Sequence, residues 1–205
     1  MTGVRELRVL CLHGLHGSAA ILRSQMAELA SEMPANVEFV YLDAPSLSSG
    51  DFGWWRDDFR GWERTLEWAI DVFDSQPRFD GIFGFSQGAA LAGLLAAVNQ
   101  SEQDGSAGKT WFDFAVMVGG FKSDPPSHSA LFRSQLTLPS AHVMGQRDVI
   151  IPIGQSRELA NQFAGPLVLE HSGGHVVPGI EAVTDPLARF FTDMAGAPVE
   201  GVARG

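Results

Sequence analysis

Three residues far apart in the chain have the types and the order that nucleophilic acyl transfer requires: Ser86, Asp148 and His175. A serine hydroxyl attacks poorly until a base takes its proton, and the base works best when a carboxylate orients it. Ser86 stands in FDGIFGFSQGAALAGLL, residues 79–95, framed by Gly84 and Gly88. A Gly-x-Ser-x-Gly frame alone says little in a chain with 23 glycines, so its surroundings decide. A strand-like stretch, Asp80 to Phe85, precedes it, and Gln87 to Ala92 opens a helix of small residues. That is the strand, sharp turn and helix the motif needs. A serine held in strained backbone leaves no room for side chains two residues away, which the glycines provide. The helix N-terminus beyond it favours developing negative charge.

Six histidines compete for the role of base. His13 and His16 precede the serine, His128 lies in a Pro- and Ser-rich loop, and His142 falls inside an apolar run. Where the order is serine, acid, base, the base hangs from a loop beyond the last strand. His175 in HSGGHVVP meets that condition because Gly173-Gly174 permit an abrupt turn, and His171 is the second candidate. Among the acids, Asp113 precedes its strand and Asp104 follows a helix, which leaves Asp148 in MGQRDVIIP and Asp124 in GGFKSDPP. Asp148 is preferred because it occupies a defined turn one strand from His175; its bland reading is a helix-capping aspartate.

Acyl transfer also needs two N–H groups aimed at the oxyanion. The main chain of Gln87, next after the serine, is one source. The other is the loop LCLHGLHGS after the first strand, where Leu15 sits between Gly14 and Gly17. That loop lacks the Gly-Lys-Ser/Thr ending of a P-loop and the spacing of a dinucleotide turn. Trp54, Trp55 and the neighbouring Phe52, with Phe121, are the expected walls of an apolar acyl site; the alternative is that both tryptophans simply cover the core.

The elements that must hold these residues alternate. Short apolar runs recur at 7–12, 37–42, 79–85, 114–118, 141–144 and 167–170, reading as strands buried on both faces. Helical spacing is expected over 18–32 with Ser18 as N-cap, 58–73, 87–99, 154–163, and a last helix opened by Asp185-Pro186. The fold class is α/β: one mostly parallel twisted sheet of about six strands with helices on both faces, over residues 1–195. Segments 44–57, 100–110 and 122–135 fall outside the alternation, and 196–205 reads as a frayed tail.

Composition narrows the function classes. A net charge of −10 with no Lys/Arg run disfavours nucleic acid as a partner. The longest nearly apolar run, 89–98, falls well short of the ~18 residues that span a bilayer. The four-residue run Val9 to Leu12 is too short for a signal peptide, so a cytoplasmic, membrane-free protein is expected. Cys11, the single cysteine, reads as buried and inert, and no metal or cofactor is expected.

The pieces VLCLHGLHGSA, EFVYLDAP, Trp54-Trp55, FDGIFGFSQGAALA, VGGFKS, PSAHVMGQRDVIIP and HSGGHVVP come in an order that resembles the FSH family of serine hydrolases. That family is a compact branch of the α/β-hydrolase superfamily, related to carboxylesterases and acyl-protein thioesterases. The resemblance covers most of residues 7–180. It implies Ser86 as nucleophile, Asp148 as acid, His175 as base, and Leu15 and Gln87 as oxyanion donors. It implies cofactor-free hydrolysis of a small-molecule ester or thioester, and, since some members release acyl chains from carrier proteins in polyketide pathways, an acyl carrier protein as a partner. The family often places Gln-Asn in the first loop, where this chain has His16-Gly17-Ser18. A non-catalytic binding protein on the same fold is the alternative class, and the presence of all three triad residues speaks against it.

Overall fold

The computed structural model describes residues 5–48, 51–56, 60–104 and 110–197. The six expected strands form one sheet: β1 (Leu7–Leu12), β2 (Val37–Leu42), β5 (Gly81–Phe85), β6 (Phe114–Val118), β7 (Ser140–Gly145) and β8 (Leu167–His171). Their order is β2-β1-β5-β6-β7-β8, and every pairing is parallel. From β1 the chain steps outward to β2, then returns to the other side of β1 and proceeds through β5 to β8. The direction of winding therefore reverses between β1 and β5, where a crevice opens at the carboxyl ends of the strands.

Alternation along the strands builds two cores. Leu10, Leu12, Ile82, Ala115 and Met117 face one layer, which contains α3 (Trp62–Ser75), α4 (Gln87–Asp104) and α6 (Ile153–Ala160). Leu7, Val9, Cys11, Phe83, Val116 and Val118 face the other, made by α1 (Ala19–Gln25), α2 (Ala27–Ser31) and α7 (Glu181–Gly196). Strands β1, β5, β6 and β7 are buried on both faces as expected, whereas the edge strands β2 and β8 are partly exposed. Cys11 is fully buried and burial pushes its thiol well up, so it stays protonated.

Helix boundaries depart from the sequence reading in informative ways. Ser18 caps α1 as expected, its hydroxyl accepting the Ile21 N–H at 3.2 Å, but the helical stretch breaks at Met26. Helix α3 starts at Trp62, because Gly61 takes the left-handed φ of 100° and cannot continue a right-handed helix backward. Residues 58 and 59 of that expected helix lie outside the described residues. The buried face is Trp62, Thr65, Ala69 and Val72, which leaves Ile70 exposed.

The last helix corrects the expectation that Asp185-Pro186 opens it. It begins at Glu181, and Pro186 sits inside it. A proline there forfeits one backbone bond and costs about 3 kcal/mol. The extra first turn buries Val183, which continues the stripe Leu187, Phe191 and Ala195 at four-residue spacing and so offsets the cost.

The segment 44–57 carries a small antiparallel ribbon, β3 (Ser46–Ser48) with β4 (Asp51–Phe52), which the sequence reading missed, and 122–135 carries the short α5 (Pro126–Ser129). Helix α4 continues past the expected Asn99 to Asp104, and the Gln100 side chain accepts the Thr137 N–H from just before β7.

Candidate active site

Ser86 sits between β5 and α4 with φ of 56°, one of two described non-glycine residues with positive φ. Its amide donates to the Val118 carbonyl at 2.9 Å, and its carbonyl accepts from Ala89 and Ala90 at 2.9 and 3.1 Å. The turn is thus held from the adjacent strand and from the helix it starts. The two glycines are sterically required. A Cβ on Gly84 would lie 2.2 Å from the Gly88 oxygen, and one on Gly88 would lie 2.1 Å from the Leu12 oxygen. A left-handed serine at such a junction stores strain that its surroundings must hold.

His175 and Asp148 meet across the ends of β7 and β8. The imidazole Nδ1 lies 2.6 Å from Asp148 Oδ2, with the carboxylate side chain 1% exposed and the imidazole 12%. The other carboxylate oxygen, Oδ1, accepts the amides of Ile150 and Ile151 at 2.9 and 2.8 Å. These amides belong to the turn, and α6 is capped by Pro152, so Asp148 is not a helix cap. An ionised carboxylate only accepts, so Nδ1 donates and Nε2 is the basic nitrogen.

Glycines also shape the base's position. A Cβ on Gly145 would lie 2.5 Å from the Gly174 oxygen, and the Arg147 amide donates to Gly173 at 3.0 Å, so the turn after β7 and the loop after β8 are laced together. Gly119, with φ of 56°, lies beneath the ring, where a Cβ would come within 3.1 Å of the imidazole. The Phe85 ring packs on His175 at a centroid distance of 4.8 Å.

The runners-up are placed elsewhere. His171 ends β8, 5% exposed, accepting the Gly173 N–H at Nδ1; burial lowers its pKa. Asp124 is exposed, and its main-chain carbonyl accepts from Ser129. His142 is buried against Phe163 beside the Ser140 hydroxyl, and burial pushes its pKa down to about 3.

Ser86, His175, Leu15 and Gln87 line one cleft of about 630 Å³, with Trp55, Phe121, Phe85, Ile150 and Ile151 among the apolar walls. Gln87 is the first residue of α4, so its N–H is one of those a helix leaves without an internal partner. The loop that carries Leu15 is braced by His13, whose Nδ1 donates to the Gly14 carbonyl at 2.7 Å while Nε2 accepts the Ala44 N–H at 3.0 Å. This pattern needs a neutral ring, which burial favours by lowering its pKa. His16, like Ser86, has positive φ, and its amide donates to Phe52 at 2.9 Å.

Trp54 corrects the expected pocket walls. It is fully buried, its indole N–H donating to the His13 carbonyl at 2.7 Å and its ring packing between His13 and Trp68. Its burial is tolerated because the N–H finds a partner there. Phe52 packs against the core and is absent from the cleft lining, whereas Trp55 and Phe121, which also pack in or against that core, line the cleft. The roles of His13, Gly119 and the Gln87 side chain were not read from sequence; the His-Gly and Gly-Gly pairs ending β1 and β6 were the available signals. Among the described residues, no cluster of three or more His, Cys, Asp or Glu could hold a metal ion.

Comparison with known proteins places the chain in a family and a fold. A family model described as serine hydrolase (FSH1) matches residues 1–187. Esterase OVCA2 of Xenopus tropicalis is 32% identical over 204 residues, covering 85% of this chain and 87% of the relative. Esterase OVCA2 of Homo sapiens is 32% identical over 232 residues, covering 95% of this chain and all (100%) of the relative. Among solved structures, acyl-protein thioesterase 2 of Zea mays superposes with a TM-score of 0.66 at 20% identity over 95% of this chain and 96% of that one, which makes the fold that of an α/β-hydrolase. No helix among the described residues is long and apolar enough to cross a membrane. On the extent of the family match and the identity to its esterase relatives, this chain belongs to the FSH1 family of serine hydrolases.

Proposed function

We propose that this chain hydrolyses carboxylic esters or thioesters of small molecules through an acyl-enzyme on Ser86. The observation that carries the reading is the His175–Asp148 pair, 2.6 Å apart, opening onto the same cleft as a serine in left-handed strain. Nε2 of His175 takes the Ser86 proton as Oγ bonds to the acyl carbon. The N–H groups of Leu15 and Gln87 hold the oxyanion. The bond to the alcohol or thiol then breaks, with His175 returning the proton to the leaving group. Water repeats the sequence and frees the acid. Asp148 stays ionised and holds the imidazole by Nδ1.

The walls Trp55, Phe121, Ile150 and Ile151 suit an apolar acyl group. Thioesters, including those borne by an acyl carrier protein, undergo the same chemistry at the same carbonyl. The test is turnover of p-nitrophenyl esters of graded length beside the matching acyl thioesters, in wild type and Ser86→Ala. The reading expects turnover that Ser86→Ala abolishes. Equal rates in the two proteins, or none in wild type, would refute it and favour a binding protein on a hydrolase fold.

A further inference from the structure

One side chain ties the cleft wall to the nucleophile turn and has no part in the chemistry above. Gln87 is 5% exposed. Its Oε1 accepts the Trp54 N–H at 3.0 Å, and its Nε2 donates to the Trp55 carbonyl at 2.8 Å. A main-chain N–H needs an acceptor and a carbonyl a donor, so the orientation of the carboxamide is fixed by its partners. The amide thus bridges the N–H of one residue and the carbonyl of the next.

The stretch it grips has two sides. Trp54 is anchored inward, by its indole N–H to His13 and by Thr65 Oγ1, which donates to its carbonyl. Trp55 turns to the cleft and also packs edge to face on Trp62. Gln87 thus sits at the junction of three parts of the site: the turn of Ser86, the brace of the Leu15 loop through Trp54 and His13, and the apolar wall at Trp55. Its main-chain N–H survives every substitution except proline, so the side chain can be changed while that donor is kept.

We propose that the Gln87 carboxamide is a positioning and specificity-determining group, holding the Trp54–Trp55 main chain at a fixed distance from Ser86 and so setting the length of acyl group that fits. This rests on the hydrolase reading above. Losing the clamp lets Trp55 shift, which alters binding of groups long enough to reach it more than binding of the shortest.

The experiment compares wild type with Gln87→Leu, and with Gln87→Met, whose unbranched side chain fits the same space if the leucine variant does not fold. Hydrogen exchange of segment 52–56 is read by mass spectrometry without substrate, with 62–75 as the internal reference. Turnover is read on p-nitrophenyl acetate, butyrate and octanoate. The expected result is exchange at 52–56 faster by about ten-fold or more with 62–75 little changed. With it, the octanoate-to-acetate ratio of kcat/KM shifts about five-fold or more, carried by KM. Wild-type exchange at 52–56, or the same fractional loss on every ester, overturns the proposal. If wild type turns over none of these esters, the hydrolase reading fails and exchange alone decides whether the clamp exists.

Discussion

A Cβ on Gly88 would stand 2.1 Å from the main-chain oxygen of Leu12, so α4 and β1 touch backbone to backbone beside Ser86. Gly88→Ala must therefore push the helix from the strand that carries the Leu15 loop. It is expected to lower stability by about 3 kcal/mol or more, beyond the usual cost of overpacking, and to abolish turnover. Gly154, in α6, has nothing within 4 Å of an added Cβ. Gly154→Ala is expected to be neutral or stabilising by up to about 1 kcal/mol. Urea unfolding of both variants checks the contrast.

Asp148→Asn keeps an Oδ1 that can accept the Ile150 and Ile151 amides but removes the charge facing His175 Nδ1. Turnover should fall by roughly 10³- to 10⁴-fold, the scale of losing an orienting carboxylate in a triad, with the unfolding temperature within a few degrees of wild type. Wild-type turnover would show that Asp148 is not the acid that orients His175.

The cleft and core halves of the aromatic segment should separate by mutation. Phe121→Ala is expected to weaken turnover of longer acyl esters through KM, because Phe121 is a partly exposed wall of the cleft. Trp54→Phe removes a buried N–H and strands the His13 carbonyl. It should cost about 1–3 kcal/mol of stability without a chain-length preference. Chemical unfolding alongside ester kinetics distinguishes the two.

His142 makes stability fall in acid. Its folded pKa, pushed down to about 3, lies below the ordinary 6.5, so the unfolded chain takes a proton that the folded chain refuses. Stability contributed by the neutral ring is present above about pH 6.5 and is lost progressively as pH falls toward about 3. Between pH 7 and pH 5 the loss is roughly 2 kcal/mol for this group. His142→Gln should flatten that part of the curve of urea midpoint against pH; an unchanged slope would show that His142 is not the source.

Much of this site was legible because its signals are local or follow from chain order. The frame around Ser86 is a steric statement about one turn, and the ends of alternating strands place Asp148 and His175 without knowledge of packing. Helix starts were harder. Asp185-Pro186 has the local form of a helix opening, and only the stripe Val183, Leu187, Phe191, packed against the sheet, shows why the helix begins a turn earlier. Trp54 and Trp55 are adjacent and chemically identical. Both are buried in the core, and which one also lines the cleft goes with the partners His13 and Gln87, more than thirty residues away in the chain; no pattern within the segment carries that information.

The most direct measurement of the central claim is the intact mass of the protein after exposure to a fluorophosphonate, which acylation-competent serines attack. A single adduct on wild type that is absent from Ser86→Ala and sharply slowed in His175→Ala is the predicted result. No adduct on wild type, or the same adduct on Ser86→Ala, would contradict Ser86 as the nucleophile.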